Sequence, residues 1–168
     1  MYDTSQQTTI RKKAVLNGVG LHSGRKINCA IHPAPAHHGI YFVRTDLNVK
    51  IRADISRVQR TEMSTTIGCT EGSVSTVEHL MAALYGLGVD NALIEIDGPE
   101  VPILDGSARE FALAIADVGI RKLGANKKVM HLKQPVSIHD GDKLIVSTPS
   151  EDFILKGQIQ FKHHAIGI

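Results

Sequence analysis

Glu78 and His79 stand side by side in Ser75-Thr76-Val77-Glu78-His79-Leu80. A carboxylate next to an imidazole is a pair that can do hydrolytic chemistry: the ring can ligate a metal and the carboxylate can act as a base on water. Both would sit in the first turn of a helix, whose positive end disfavours an imidazolium and so leaves a lone pair for a metal. A plainer assignment competes. Glu78 follows Ser75 at the spacing of a capping box, and His79 is then an ordinary packed or surface histidine. Adjacency alone does not decide, because neighbouring helical residues point about 100° apart.

A catalytic zinc ion normally takes three protein ligands and keeps one position open, but the His-Glu-x-x-His spacing that announces such a site is absent. The spare imidazoles near turns or strand ends are His22, His139, His163 and His164. The last two would face opposite sides of a strand, so one of them is wrongly placed for a shared metal. His37-His38 lies in a Pro- and Ala-rich loop and reads as solvated. Asp97-Gly98-Pro99-Glu100 and Asp105-Gly106-Ser107 make an acidic loop whose residues suit turns and, at Ser107, a helix N-cap; a binding role is the alternative. There is no P-loop, no Gly-x-Gly-x-x-Gly after a strand and no Gly-x-Ser-x-Gly elbow, which removes support for nucleotide hydrolysis, dinucleotide redox and serine-hydrolase chemistry. Cys69 has no identifiable base and reads as a packed or surface thiol.

The elements that must position Glu78 and His79 can be read from periodicity. Val77, Leu80, Met81 and Leu84 fall at i, i+3, i+4 and i+7, which predicts a helix over 76–87 with one buried face, stopped by Gly86 and Gly88. A second helix is expected over 107–118, opened by a capping box of Ser107 and Glu110 and closed by Gly119. Strands are expected over 14–19, 27–31, 39–43, 49–55 and 65–68, with the turn Gly20 to Gly24 between the first two. Residues 92–96 are nearly all apolar, the pattern of a strand covered on both faces. The result is an α+β chain: a two-layer α/β sandwich with the helices on one face of a sheet. Beyond Lys127 further strands are expected over 129–132, 136–138, 143–147 and 153–161.

Composition admits this fold and narrows the partners. The 168 residues are 42% hydrophobic, enough for a packed core, and 19 Lys and Arg against 17 Asp and Glu leave a net charge of only +2. So even a balance gives nucleic acid no clustered basic face to bind. No apolar stretch reaches the ~18 residues of a membrane span. The polar opening ten residues lack the apolar core of a signal peptide, and two distant cysteines, Cys29 and Cys69, suit a reducing cytoplasm rather than a disulfide framework.

A pattern also recurs. His22-Ser23-Gly24-Arg25-Lys26-Ile27 and His139-Asp140-Gly141-Asp142-Lys143-Leu144 share His-x-Gly-x-Lys-apolar, 117 residues apart and each between strand-like runs. The match is either a common hairpin turn or the mark of a duplicated unit. Under duplication, residues 1–125 form a first sandwich domain, and 126–168 are the opening strands of a second that is cut off.

Four blocks together resemble one family: Gly18-Val19-Gly20-Leu21-His22-Ser23-Gly24, Ser75 to Leu80, Gly86-Leu87-Gly88-Val89-Asp90-Asn91, and Pro99-Glu100-Val101-Pro102-Ile103-Leu104-Asp105-Gly106-Ser107-Ala108. In order and spacing they are similar to the UDP-3-O-acyl-N-acetylglucosamine deacetylases, zinc amidases of lipid A synthesis in Gram-negative bacteria. Phe161 to Gly167 also resembles the stretch that opens the family's second domain, with His164 where a proline is usual. The resemblance implies two similar α/β sandwich domains with the active site in the cleft between them. It implies that His79 is a zinc ligand and that Glu78 is the general base activating the zinc-bound water, which attacks the N-acetyl carbonyl of the UDP-linked acylated amino sugar and releases acetate.

The family's remaining zinc ligands, a His and an Asp one helical turn apart, lie in the second domain, as does the histidine that protonates the leaving amine. That stretch, and the insert that holds the acyl chain, are not in this sequence. A single imidazole does not retain zinc against water, and an unpartnered first domain exposes an apolar face. The expectation is therefore a deacetylase segment that is incomplete and inactive by itself, the alternative being a complete non-catalytic binding module or a remnant of the enzyme.

Overall fold

The computed structural model describes residues 5–160. A boundary between compact units falls between Lys127 and Lys128.

On the first side, strands β1 (Gln6–Ile10), β2 (Ala14–Val19), β3 (Lys26–Pro33), β4 (Ile40–Arg44), β5 (Val49–Arg52), β6 (Val58–Arg60), β7 (Thr66–Cys69) and β8 (Gly72–Val74) precede helix α1 (Glu78–Gly86). Strand β9 (Ala92–Ile96), helix α2 (Arg109–Val118) and strand β10 (Ile120–Asn126) follow. The main sheet has the order β2-β3-β9-β4-β5, antiparallel except where β4 runs parallel to β9. The smaller β6-β7-β8 sheet and the β1-β10 pair complete this part.

Alternation decides which face carries the helices. Ala14, Leu16, Ile27, Cys29, Ile31, Phe42, Ile51, Ile94 and Ile96 point to one side and share a core with Leu80, Ala83 and Leu84 of α1 and Phe111 and Ile115 of α2. Each such large side chain, fully buried, contributes about 1.5–3 kcal/mol. The fold is thus the expected mixed α/β sandwich with helices on one sheet face. One detail differs: β9 is not covered on both sides. Ala92, Ile94 and Ile96 are buried while Leu93 and Glu95 are half-buried, and His32 pairs with Glu95 at 2.8 Å on the open face.

Both expected capping boxes are overturned. Helix α1 begins at Glu78 with Val77 as N-cap and no side-chain cap bond; Ser75 is two residues outside, its hydroxyl donating to the Pro99 carbonyl. Helix α2 begins at Arg109 with Ala108 as N-cap. Ser107 still accepts from the Arg109 N–H at 3.1 Å, while its own N–H donates to Asp105. At α1 the local spacing is outcompeted by partners distant in sequence, and at α2 Ser107 bonds instead to its close neighbours Asp105 and Arg109.

Cys29 is fully buried on the core face. Burial, with the charge of Asp97 adding to it, pushes its thiol up to about 12; Cys69 is half-buried, its Sγ 3.6 Å from the Gly72 carbonyl. A thiol-reactive disulfide reagent should therefore titrate Cys69 alone in the native chain and Cys29 only on unfolding. Two thiols reacting at one rate would contradict this packing.

On the other side of the boundary, β11 (Val136–Asp140) and β12 (Lys143–Ser147) form an antiparallel hairpin in which every residue is exposed. Its two-residue loop puts Gly141 at φ 60°, as a primed turn requires at its first position. Gly24, its counterpart in the recurring hexapeptide, has φ 63° but belongs to a longer connection, since Val19 pairs with Lys26. The shared pattern therefore marks two hairpins with a left-handed glycine and different loop lengths. Residues 129–132 and 153–160 form no strand, contrary to expectation, and 161 lies outside the described residues. An isolated two-stranded hairpin is marginal in water, so amide exchange at Val136–Ser147 should be faster by orders of magnitude than at Cys29, Ile31 and Ile94 in the central sheet. Equal protection would show that the hairpin is covered. Among the described residues no helix is long and apolar enough to cross a membrane.

Candidate active site

Thr65 grips the start of α1 with both of its backbone groups. Its N–H donates to Glu78 Oε2 at 3.0 Å, and its carbonyl accepts from the Val77 N–H at 3.4 Å. Glu78 is half-buried, with Oε2 held by Thr65 and, among the described residues, no hydrogen-bond partner at Oε1. His79 is half-buried too, and among the described residues its ring has no hydrogen-bond partner.

The chain enters this turn by an unusual route. Thr76, 2% exposed, has φ 55°, a left-handed conformation that a β-branched residue adopts only under constraint. The constraint comes from outside the helix. Ser75 bridges to the loop after β9: its N–H donates to the Pro99 carbonyl at 2.9 Å and its carbonyl accepts from Val101 at 3.0 Å. The Thr76 hydroxyl donates to Glu100 Oε1 at 3.0 Å.

Glu100 is only 1% exposed, and sequence reasoning did not single it out from its loop. Its carboxylate also accepts the backbone N–H groups of His22 and Ser23, at 3.0 and 2.9 Å. Burial alone would raise its pKa; donors from His22, Ser23 and Thr76 outweigh burial and hold it below the ordinary carboxylate value. Gly20 makes this possible, since a Cβ there would overlap the Glu100 carboxylate, and one on Gly18 would press within 2.9 Å of Pro102. The only signal in the sequence was a lone acid inside the otherwise apolar Pro99-Glu100-Val101-Pro102.

The other candidates fall elsewhere. The His22 side chain is exposed and its role here is through its backbone. His139 sits on the exposed hairpin beyond the unit boundary, and His163 and His164 lie outside the described residues. His37 and His38 are tethered rather than simply solvated: His37 Nδ1 meets Gln7 Nε2 at 2.9 Å, and the His38 ring packs against Tyr41. Asp97 braces β3 by accepting from the backbone and side chain of Asn28. In the block 86–91, Asp90 takes the Thr8 N–H and an ion pair from Lys127, while Asn91 ties Gly39 and Gln7 together. Both are structural. Among the described residues no three His, Cys, Asp or Glu side chains converge as a metal site. An imidazole such as His79 has the chemistry to ligate zinc, but among the described residues no set of ligands accompanies it.

Comparison with known proteins places the chain in a family. Residues 7–168 match the family model described as UDP-3-O-acyl N-acetylglycosamine deacetylase. A UDP-3-O-acyl-N-acetylglucosamine deacetylase of Geobacter sp. (strain M21) is 49% identical over 162 residues, covering 95% of this chain and 53% of that protein. One of Myxococcus xanthus (strain DK1622) is 48% identical over 162 residues, 95% and 52% respectively. One of Shewanella sp. (strain ANA-3) is 46% identical over 163 residues, 95% and 53%. The chain spans about half the length of the curated relatives it matches. On the family match over nearly its whole length, the chain belongs to the UDP-3-O-acyl N-acetylglycosamine deacetylase family.

Proposed function

We propose that these residues are the first half of a zinc-dependent deacetylase that removes the N-acetyl group of UDP-3-O-acyl-N-acetylglucosamine in lipid A synthesis, working in the cytoplasm. In this reading residues 1–125 are the first sandwich domain, 126–168 open a second, and the substrate is the UDP-linked acylated amino sugar named by the relatives. The observation that carries it is the start of α1: an imidazole, His79, with no hydrogen-bond partner among the described residues, beside a carboxylate fixed at one oxygen.

His79 would hold zinc as one of its ligands, the others coming from chain beyond these residues. Zinc, when bound, polarises a carbonyl and makes water a better nucleophile. Glu78 takes the proton of the water that attacks the acetyl carbon; the carbon–nitrogen bond then breaks, acetate leaves and the amine gains a proton. The hydrogen bond from Thr65 keeps the carboxylate from rotating away while it does so.

The test is acetate release from UDP-3-O-acyl-N-acetylglucosamine by the product of the complete reading frame, with and without chelator. Turnover that is lost to chelator and restored by zinc supports the reading. A complete product that releases no acetate at all defeats it and leaves a binding module or remnant.

A further inference from the structure

We propose that Glu100 is the positioning residue of this site: by holding Thr76 left-handed and clamping the Gly20–Ser23 turn against it, its carboxylate sets the direction in which α1 presents Glu78 and His79. The inference deepens the deacetylase reading and rests on it.

A helix is aimed by the residues through which the chain enters it, and α1 has no side-chain cap of its own. The entry is Thr76, two residues before Glu78, in a conformation that its β-branch opposes. Backbone bonds of Ser75 and Val77 hold the chain on either side of Thr76, and the bond to its own side chain comes from one buried group, Glu100. Glu100 ties together three segments far apart in sequence: Thr76 before α1, His22 and Ser23 after β2, and its own loop after β9. The Gly18 and Gly20 positions are bare where this loop passes, and Ile103 donates to the Val19 carbonyl at 2.9 Å to fix it there. An ordinary brace of the fold would not need to be a carboxylate, nor to end on the one strained residue that leads into Glu78-His79. Glu100 is not placed to touch substrate; it acts through Thr76.

The expected signature separates position from stability. In the full-length protein, Thr76→Val removes the hydroxyl but keeps the shape, and Glu100 retains its two backbone donors, so the fold survives. Misplacing a reacting group by about 1 Å costs roughly 10²-fold. Thr76→Val and Glu100→Gln should therefore lower kcat by up to about that factor with KM unchanged, and Thr76→Ser, which keeps the hydroxyl, should restore it.

The same variants of the 168-residue chain are read by NMR. Shifts should be confined to residues 20–24, 75–82 and 98–103, including the His79 ring, with the methyl signals of Ile31, Ile94 and Ile96 unmoved. Full kcat in both Thr76→Val and Glu100→Gln overturns the proposal. So does an equal loss in Thr76→Ser, or shifts spread through the sheet core. If the wild type releases no acetate, the deacetylase reading fails, and the His79 ring still decides: unmoved in both variants, it overturns the positioning role; moved, it supports it.

Discussion

Glu78→Gln in the full-length protein should lower kcat for acetate release by about 10²–10⁴-fold, the usual worth of a general base. It should do so without disturbing the site. Gln keeps a carbonyl oxygen to accept the Thr65 N–H, now at 3.0 Å from Glu78 Oε2, so the side chain stays where the backbone of Thr65 holds it. What it loses is the ability to take a proton. His79→Ala should differ in kind: on the proposed reading it removes one imidazole ligand, so the purified protein should carry less zinc as well as turning over more slowly. Steady-state kinetics beside metal analysis distinguishes the two, since Glu78→Gln should retain its zinc content. A Glu78→Gln protein with wild-type kcat removes Glu78 from the chemistry, and His79→Ala with full zinc content removes His79 from the ligand set.

That a pair so plain in the sequence should need a structure to explain it follows from what local patterns encode. The strands at 14–19, 27–31 and 92–96 and the buried stripe of α1 are legible because alternation and helical periodicity are set by the chain's own core-facing residues. Strands β1 and β10 were not, for a physical reason. Gln6 to Thr9 is polar, and its burial rests on bonds such as Thr9 Oγ1 to the Asn91 carbonyl and on pairing with a strand more than 100 residues away. The apolar runs at 129–132 and 153–160 have strand composition but no partner strand among the described residues, and Met130 and Phe153 are 88% and 77% exposed; β-propensity makes a strand only where pairing is on offer. The capping box at α1 failed similarly, Ser75 finding Pro99 and Glu78 finding Thr65. Glu100 was hidden because nothing within its own loop states that the turn at 22–23 and Thr76 would supply its donors.

Those donors make a second large effect, on stability and its pH dependence. The native Glu100 carboxylate titrates below its ordinary value, because the N–H groups of His22 and Ser23 and the hydroxyls of Ser23 and Thr76 outweigh the cost of burial. The unfolded chain, with Glu100 at its ordinary pKa, therefore binds the proton first as pH falls. The stabilisation is complete above the unfolded pKa and is lost as pH drops through the ordinary carboxylate range towards the native value. Glu100→Ala removes it at every pH and leaves the Thr76 hydroxyl, 2% exposed, without an acceptor; the turn amides at exposed His22 and Ser23 can turn to water. The net cost at neutral pH should be roughly 2–4 kcal/mol, a large fraction of the 5–15 kcal/mol typical of a domain. Glu100→Gln should cost less at neutral pH and, having no proton to gain, should show a shallower fall in acid. Asp46, lowered chiefly by its hydrogen bonds from Arg44, contributes the same slope to both proteins and cancels from their difference. Urea unfolding followed at about pH 7, 5 and 4 measures that difference directly. It should be nearly the same at about pH 7 and 5 and narrow at about pH 4, and a difference that stays constant throughout would mean that the Glu100 carboxylate is no better stabilised in the fold than in water.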